Sequence, residues 1–155
     1  MKKIILPIVF ILTLSSCGKL PIKALHPKFV SGSIVTVRYM QSVFTAKIST
    51  DEKMNMTAEI QQPDDLSGIT VECSENGMKA KCGNVVIDSS YGYLPFAELY
   101  KVIRCINASE SVSTDKSDES YTFVYKNNGE QYTVKTDLTG TIKYIITPMC
   151  EFEKR

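Results

Sequence analysis

The chain has 155 residues, with 18 Lys and Arg against 17 Asp and Glu, one His, five Cys, no Trp and a formal net charge of +1. That length suits one domain with a real core. So balanced a charge gives no reason to expect nucleic acid or an anionic surface as partner, and no second apolar segment after the N-terminal one approaches membrane-spanning length.

The chain opens on Lys2-Lys3, followed by an apolar run over residues 4–14 broken only by Pro7 and Thr13. Ser15-Ser16 and Cys17 come next. A basic start, a short apolar run and small residues before a cleavage point make a secretory signal over residues 1–16. Leu14-Ser15-Ser16-Cys17 resembles the lipobox of bacterial lipoproteins. The resemblance implies a diacylglycerol on the Cys17 sulfur, cleavage just before that residue, and a further acyl chain on its amino group in some hosts. Each buried CH₂ contributes about 0.8 kcal/mol, and two chains hold stably where one does not. The mature protein is then expected on the extracytoplasmic face of the cell membrane, anchored by lipid. A Gram-positive host is favoured. In a diderm the expected place is the outer membrane, because Gly18 is not the Asp that often retains lipoproteins at the inner one.

Cleavage leaves 139 residues and a net charge of −1. Residues 17–31, with Pro21, Pro27 and the lone His26, are expected to form a tether. Residues 32–155 are expected to form one domain. Period-two alternation predicts strands at residues 34–40, 43–50 and 53–62, with a turn at Gln41-Ser42 and a stop at Pro63-Asp64-Asp65. Shorter strands follow at 69–73, 78–82 and 85–87, with turns at Asn76-Gly77 and Gly83-Asn84. The period then changes. Phe96, Leu99, Val102, Ile103 and Ile106 recur at helical spacing behind Pro95, predicting a helix over 95–107. Residues 108–120 are nearly all polar and are expected to be a mobile loop. Strands at 121–125, 131–136 and 141–147 close the chain, with turns at Asn127-Asn128-Gly129 and Leu138-Thr139-Gly140.

Cys73, Cys82, Cys105 and Cys150 are an even set in an exported protein, so two disulfides are expected, Cys73–Cys82 and Cys105–Cys150 among the three pairings four cysteines allow. A strict two-residue turn at Asn76-Gly77 would set Cys73 and Cys82 diagonally, whereas a four-residue loop would bring them opposite. No CxxC occurs, and a metal site is not expected. No base accompanies the many Ser and Thr inside the domain, since His26 lies in the tether, and no phosphate loop or HExxH is present. No enzyme activity and no cofactor beyond the lipid on Cys17 are expected.

Several short stretches carry a resemblance over about residues 34–152. They are Val37-Arg38-Tyr39 with Phe44-Thr45-Ala46-Lys47-Ile48, Gln62-Pro63-Asp64-Asp65-Leu66-Ser67-Gly68-Ile69, Leu94-Pro95, and Asp137-Leu138-Thr139-Gly140. These resemble a group of small Gram-positive lipoproteins, themselves similar to the LolA-like carriers. The resemblance implies a mainly β fold: a curved antiparallel sheet of about 8–9 strands, an open half-barrel, covered by one helix. In such carriers the concave face holds acyl chains. By that analogy Phe44, Met54, Met56, Ile60, Phe96 and Leu99 are the candidate lining for an apolar or lipid ligand, methionine being adaptable. The alternative is a ligand-free envelope protein with a solid core that works by contact. A self-anchored chain is no freely diffusing shuttle, and it lacks the tryptophans common in carrier pockets. A monomer is expected.

Overall fold

The computed structural model describes residues 25–89, 95–108 and 111–155. The signal, the lipobox, Cys17, the first part of the tether and Leu94 lie outside the described residues.

Among these residues eleven strands form one sheet. They are β1 (Ser33–Tyr39), β2 (Ser42–Thr50), β3 (Met56–Gln62), β4 (Thr70–Ser74), β5 (Gly77–Cys82), β6 (Val85–Ser89), β7 (Ser113–Lys116), β8 (Ser120–Asn127), β9 (Glu130–Asp137), β10 (Ile142–Ile146) and β11 (Cys150–Lys154). One α-helix among the described residues, α1 (Pro95–Ala108), lies between β6 and β7 in the chain, and a short 3-10 helix covers Asp64–Leu66. The sheet order is β6-β5-β4-β3-β2-β1-β11-β10-β9-β8-β7, and every neighbouring pair is antiparallel. It is therefore two meanders joined where β1 meets β11. Neighbouring strands rotate by about 20–25°. β4 and β8 stand seven steps apart, which at that average is a turn of roughly 150°, and both strands contact α1.

Alternation decides which side chains face inward. Val35, Val37, Phe44, Ala46, Ile48, Met56, Ala58 and Ile60 are buried on the concave face, opposite Phe123, Val134, Ile145 and Phe152. The helix fills the space between. Ten of its fourteen residues are buried, and Lys101 and Arg104 make most of its wetter stripe. The apolar residues Phe96, Leu99, Val102, Ile103 and Ile106, read at helical spacing, are all 3% exposed or less. Burying one such side chain contributes about 1.5–3 kcal/mol.

The structure corrects several expectations. The sheet has eleven strands, not 8–9. The segment expected to be a mobile loop holds β7, whose polar residues pair with β8 through the backbone, a bond that needs no apolar side chain. β11 was not foreseen as a separate strand, yet it pairs with both β1 and β10. The third strand starts at Met56, because Asp51 gathers the turn before it. Its Oδ1 accepts from the backbone N–H groups of Lys53 (2.9 Å) and Asn55 (2.8 Å), and Met54 takes φ +63°. The β1–β2 turn is Met40-Gln41 and the β4–β5 turn Glu75-Asn76, each one residue earlier than expected. The end of the expected tether is strapped to the domain. Lys28 N–H donates to Gly140 O (2.8 Å), and Lys28 O accepts from Ile142 N–H (3.1 Å). Pro27 is buried and His26 is exposed.

The expected Cys73–Cys82 disulfide does not fit this register. Cys73 pairs with Met78, and Cys82 is four residues further along, about 13 Å away. Cys73 is buried and Cys82 exposed. Cys105 and Cys150 are both buried, and no disulfide joins them. Cys150 interacts with Glu98 near the start of α1, whereas Cys105 lies two helical turns on, beside Tyr125.

Candidate functional site

The six candidate lining residues come together, as packing. Phe44, Met56, Ile60, Phe96 and Leu99 are 9%, 1%, 8%, 3% and 0% exposed and belong to one core cluster, with Met54 partly buried against it. The rings of Phe44 and Phe96 meet edge to face at 5.5 Å, a favourable aromatic geometry. The apolar space bordered by Phe29, Val35, Leu99, Ile145 and Phe152 is about 10 Å³. Of the six candidates only Leu99 borders this space, which takes about one water. Alternating apolar residues fit a core and a pocket equally well in sequence; here they occupy the concave face themselves.

A second feature was not read from the sequence. Glu75, Tyr100, Lys101, Arg104 and Asn127 line an open groove of about 480 Å³ along the wet stripe of α1. Glu75 comes from the β4–β5 turn, and Asn127 ends β8 on the opposite limb of the sheet. β4 and β8 run in opposite directions, so in a flat sheet these turns would lie at opposite edges; the accumulated twist accounts for both reaching the helix. Arg104 Nη1 donates to Glu75 Oε1 (2.6 Å), and its guanidinium stands 5.9 Å from the centre of the Tyr100 ring. Lys101 Nζ donates to Glu98 Oε1 (2.7 Å), and that bond raises the pKa of Lys101 above its ordinary value.

Beneath this groove lies a polar cluster. Glu98 is buried, and its Oε2 makes no hydrogen bond. Tyr132 donates its hydroxyl to Glu130 Oε2 (2.6 Å), and burial first, then that bond, pushes its pKa up. Burial raises the Tyr125 phenol to about 12, the Cys73 thiol to about 12 and the Cys150 thiol to about 11. A thiol that resists ionisation is a poor nucleophile, so Cys73 and Cys150 read as structural. Among the described residues no group of His, Cys, Asp and Glu is arranged to hold a metal ion. No described helix is long and apolar enough to cross a membrane.

No family model matches the sequence, and no curated protein matches it. Among solved structures, a LolA superfamily protein from Nitrosomonas europaea aligns with a TM-score of 0.38 at 6% identity, covering 74% of this chain. The chain spans 60% of the length of that structure.

Proposed function

We propose that the protein is an extracytoplasmic lipoprotein, held at the membrane by lipid on Cys17, whose β domain works by contact with other proteins rather than by carrying an apolar ligand. The observation that carries the second half is the occupation of the concave face by α1. Phe96 and Leu99, set out above as ligand lining, are what the sheet closes around. On this reading an apolar or lipid ligand would compete with Phe96 and Leu99 of α1 for that face. The anchor is supported by Lys2-Lys3, the apolar run over residues 4–14 and Leu14-Ser15-Ser16-Cys17.

Two experiments test the two halves separately. Mass spectrometry of lipid extracted from the purified full chain is expected to find no acyl species in stoichiometric amount beyond those bound covalently. A non-covalent lipid at one per protein would overturn the contact reading and restore the carrier-like one. Cells making the Cys17→Ser chain are expected to lose radioactive palmitate from the protein and to release it from the membrane fraction. Retention of both label and membrane association would refute the anchor.

A further inference from the structure

The two edges of the sheet are built differently. β7 at one edge carries Ser113, Thr114, Asp115 and Lys116, the polar residues that protect an edge from pairing with another chain. β6 at the other edge carries a single charge, Asp88, beside a run of three apolar residues. Val85, Val86 and Ile87 are 61%, 53% and 61% exposed, three consecutive apolar residues that bare both faces of the strand. Among the described residues no strand lies beside the backbone groups on its outer side.

The hairpin fixes which groups those are. Gly83-Asn84 is a two-residue turn with Cys82 opposite Val85, which makes Cys82 and Val85 a hydrogen-bonded pair. Pairing alternates from there, so Ile87 also bonds to β5 through its partner Ala80. Val86 and Asp88 therefore aim their N–H and C=O groups outward. An incoming antiparallel strand must pair through these two residues.

We propose that the occupant of this edge is a second copy of the same chain, paired β6 to β6 about a two-fold axis at Ile87. In that register Val86 of each copy lies opposite Asp88 of the other. The four outward N–H and four outward C=O groups of the two copies then meet as two hydrogen-bonded residue pairs, making four bonds in all. The side chains agree with this register. On the outer face Asp88 is 3.4 Å from Lys79, and Val86 pairs with Lys81. The row across the joint then reads Glu72, Lys79, Asp88, Val86, Lys81, Thr70, and no like charges meet at the seam. On the inner face the two Ile87 side chains face each other as a close, non-hydrogen-bonded pair. This reading departs from the monomer expected from the sequence and stands on the sheet edge alone, whether or not Cys17 is acylated. A five-residue joint is small beside the 1,200 Å² or so of a stable interface, so the dimer belongs to the weak class.

The test uses the purified full chain in a Cys17→Ser, Cys82→Ser background, which removes the exposed thiol of the described residues and the thiol of the proposed anchor. Ile87→Cys places the two new thiols about 4.5 Å apart by Cα in the proposed register, within disulfide reach. Val85→Cys places them about 13 Å apart, four residues out of register. Mild oxidation is expected to give covalent dimer with Ile87→Cys at least five-fold above Val85→Cys and above the background chain. Adding Val86→Asp, which sets an aspartate opposite Asp88 of the other copy, is expected to cut the Ile87→Cys yield at least five-fold while the circular dichroism stays unchanged. Equal yields from the two cysteine positions, monomer alone, or no effect of Val86→Asp would overturn the proposal. So would cross-linking in cells to a different protein in place of a second copy.

Discussion

Asp137 closes the turn between β9 and β10 with one carboxylate oxygen. Its Oδ1 accepts from the Thr139 hydroxyl, from Thr139 N–H (2.9 Å) and from Thr141 N–H (3.0 Å), while Lys143 Nζ stands 3.2 Å from Oδ2. The hydroxyl bond above all lowers its pKa to about 2. In the unfolded chain an aspartate titrates near 3.9, so this group's contribution is complete above that value and is lost as the pH falls toward about 2. The urea midpoint of the parent is expected to fall more steeply between pH 5 and pH 2, roughly, than that of Asp137→Asn. Parallel profiles would show that the carboxylate does not hold the turn. Gly140 in the same turn has φ +86°, and an added Cβ would come within 2.9 Å of Leu25 and 3.1 Å of the His26 carbonyl. The glycine is there for a close approach as well as for a left-handed backbone.

At the scale of elements, α1 divides the two functional readings. If its apolar side chains form the core, truncating one must destabilise the fold. Leu99→Ala is expected to cost about 3 kcal/mol, read from the urea midpoint at constant m-value. A change under about 1 kcal/mol would mean that Leu99 borders open space rather than packed atoms. The helix itself was legible in the sequence to within a residue of its end, because Pro95 marks its start and a 3.6 period runs through it. β1 and β2 were legible through strict alternation. β7 was not, since its partner β8 supplies backbone bonds and its side chains carry no pattern. β11 was hidden by its length of five residues and by Pro148 just before it. The groove beside Tyr100 was hidden for another reason: Glu75 and Asn127 reach it from turns fifty-two positions apart, through a twist that no local pattern encodes.

For the whole molecule, the seam between β1 and β11 matters most. It joins residues over a hundred positions apart, Val35 to Lys154 and Tyr39 to Cys150, in the middle of the sheet. Contacts so distant in sequence close late and slow the folding of β proteins. Deleting residues 150–155 strips β1 and β10 of a shared neighbour and is expected to abolish the cooperative unfolding transition. Replacing Ser113 to Lys116 by glycine, at the outer edge, is expected to leave a cooperative transition in place. If the two changes had equal effect, the sheet would lack the central seam that its strand order gives it.

The strap at Lys28 has a consequence for the proposed anchor. Seven residues lie between Cys17 and Leu25. Even drawn out straight, a link of that length reaches about 28 Å. With the proposed glyceride on Cys17, the Leu138–Gly140 corner of the sheet would be leashed within a few nanometres of the headgroups, and the body would swing over a small disc of bilayer. A partner that meets this corner would have to come down into that layer.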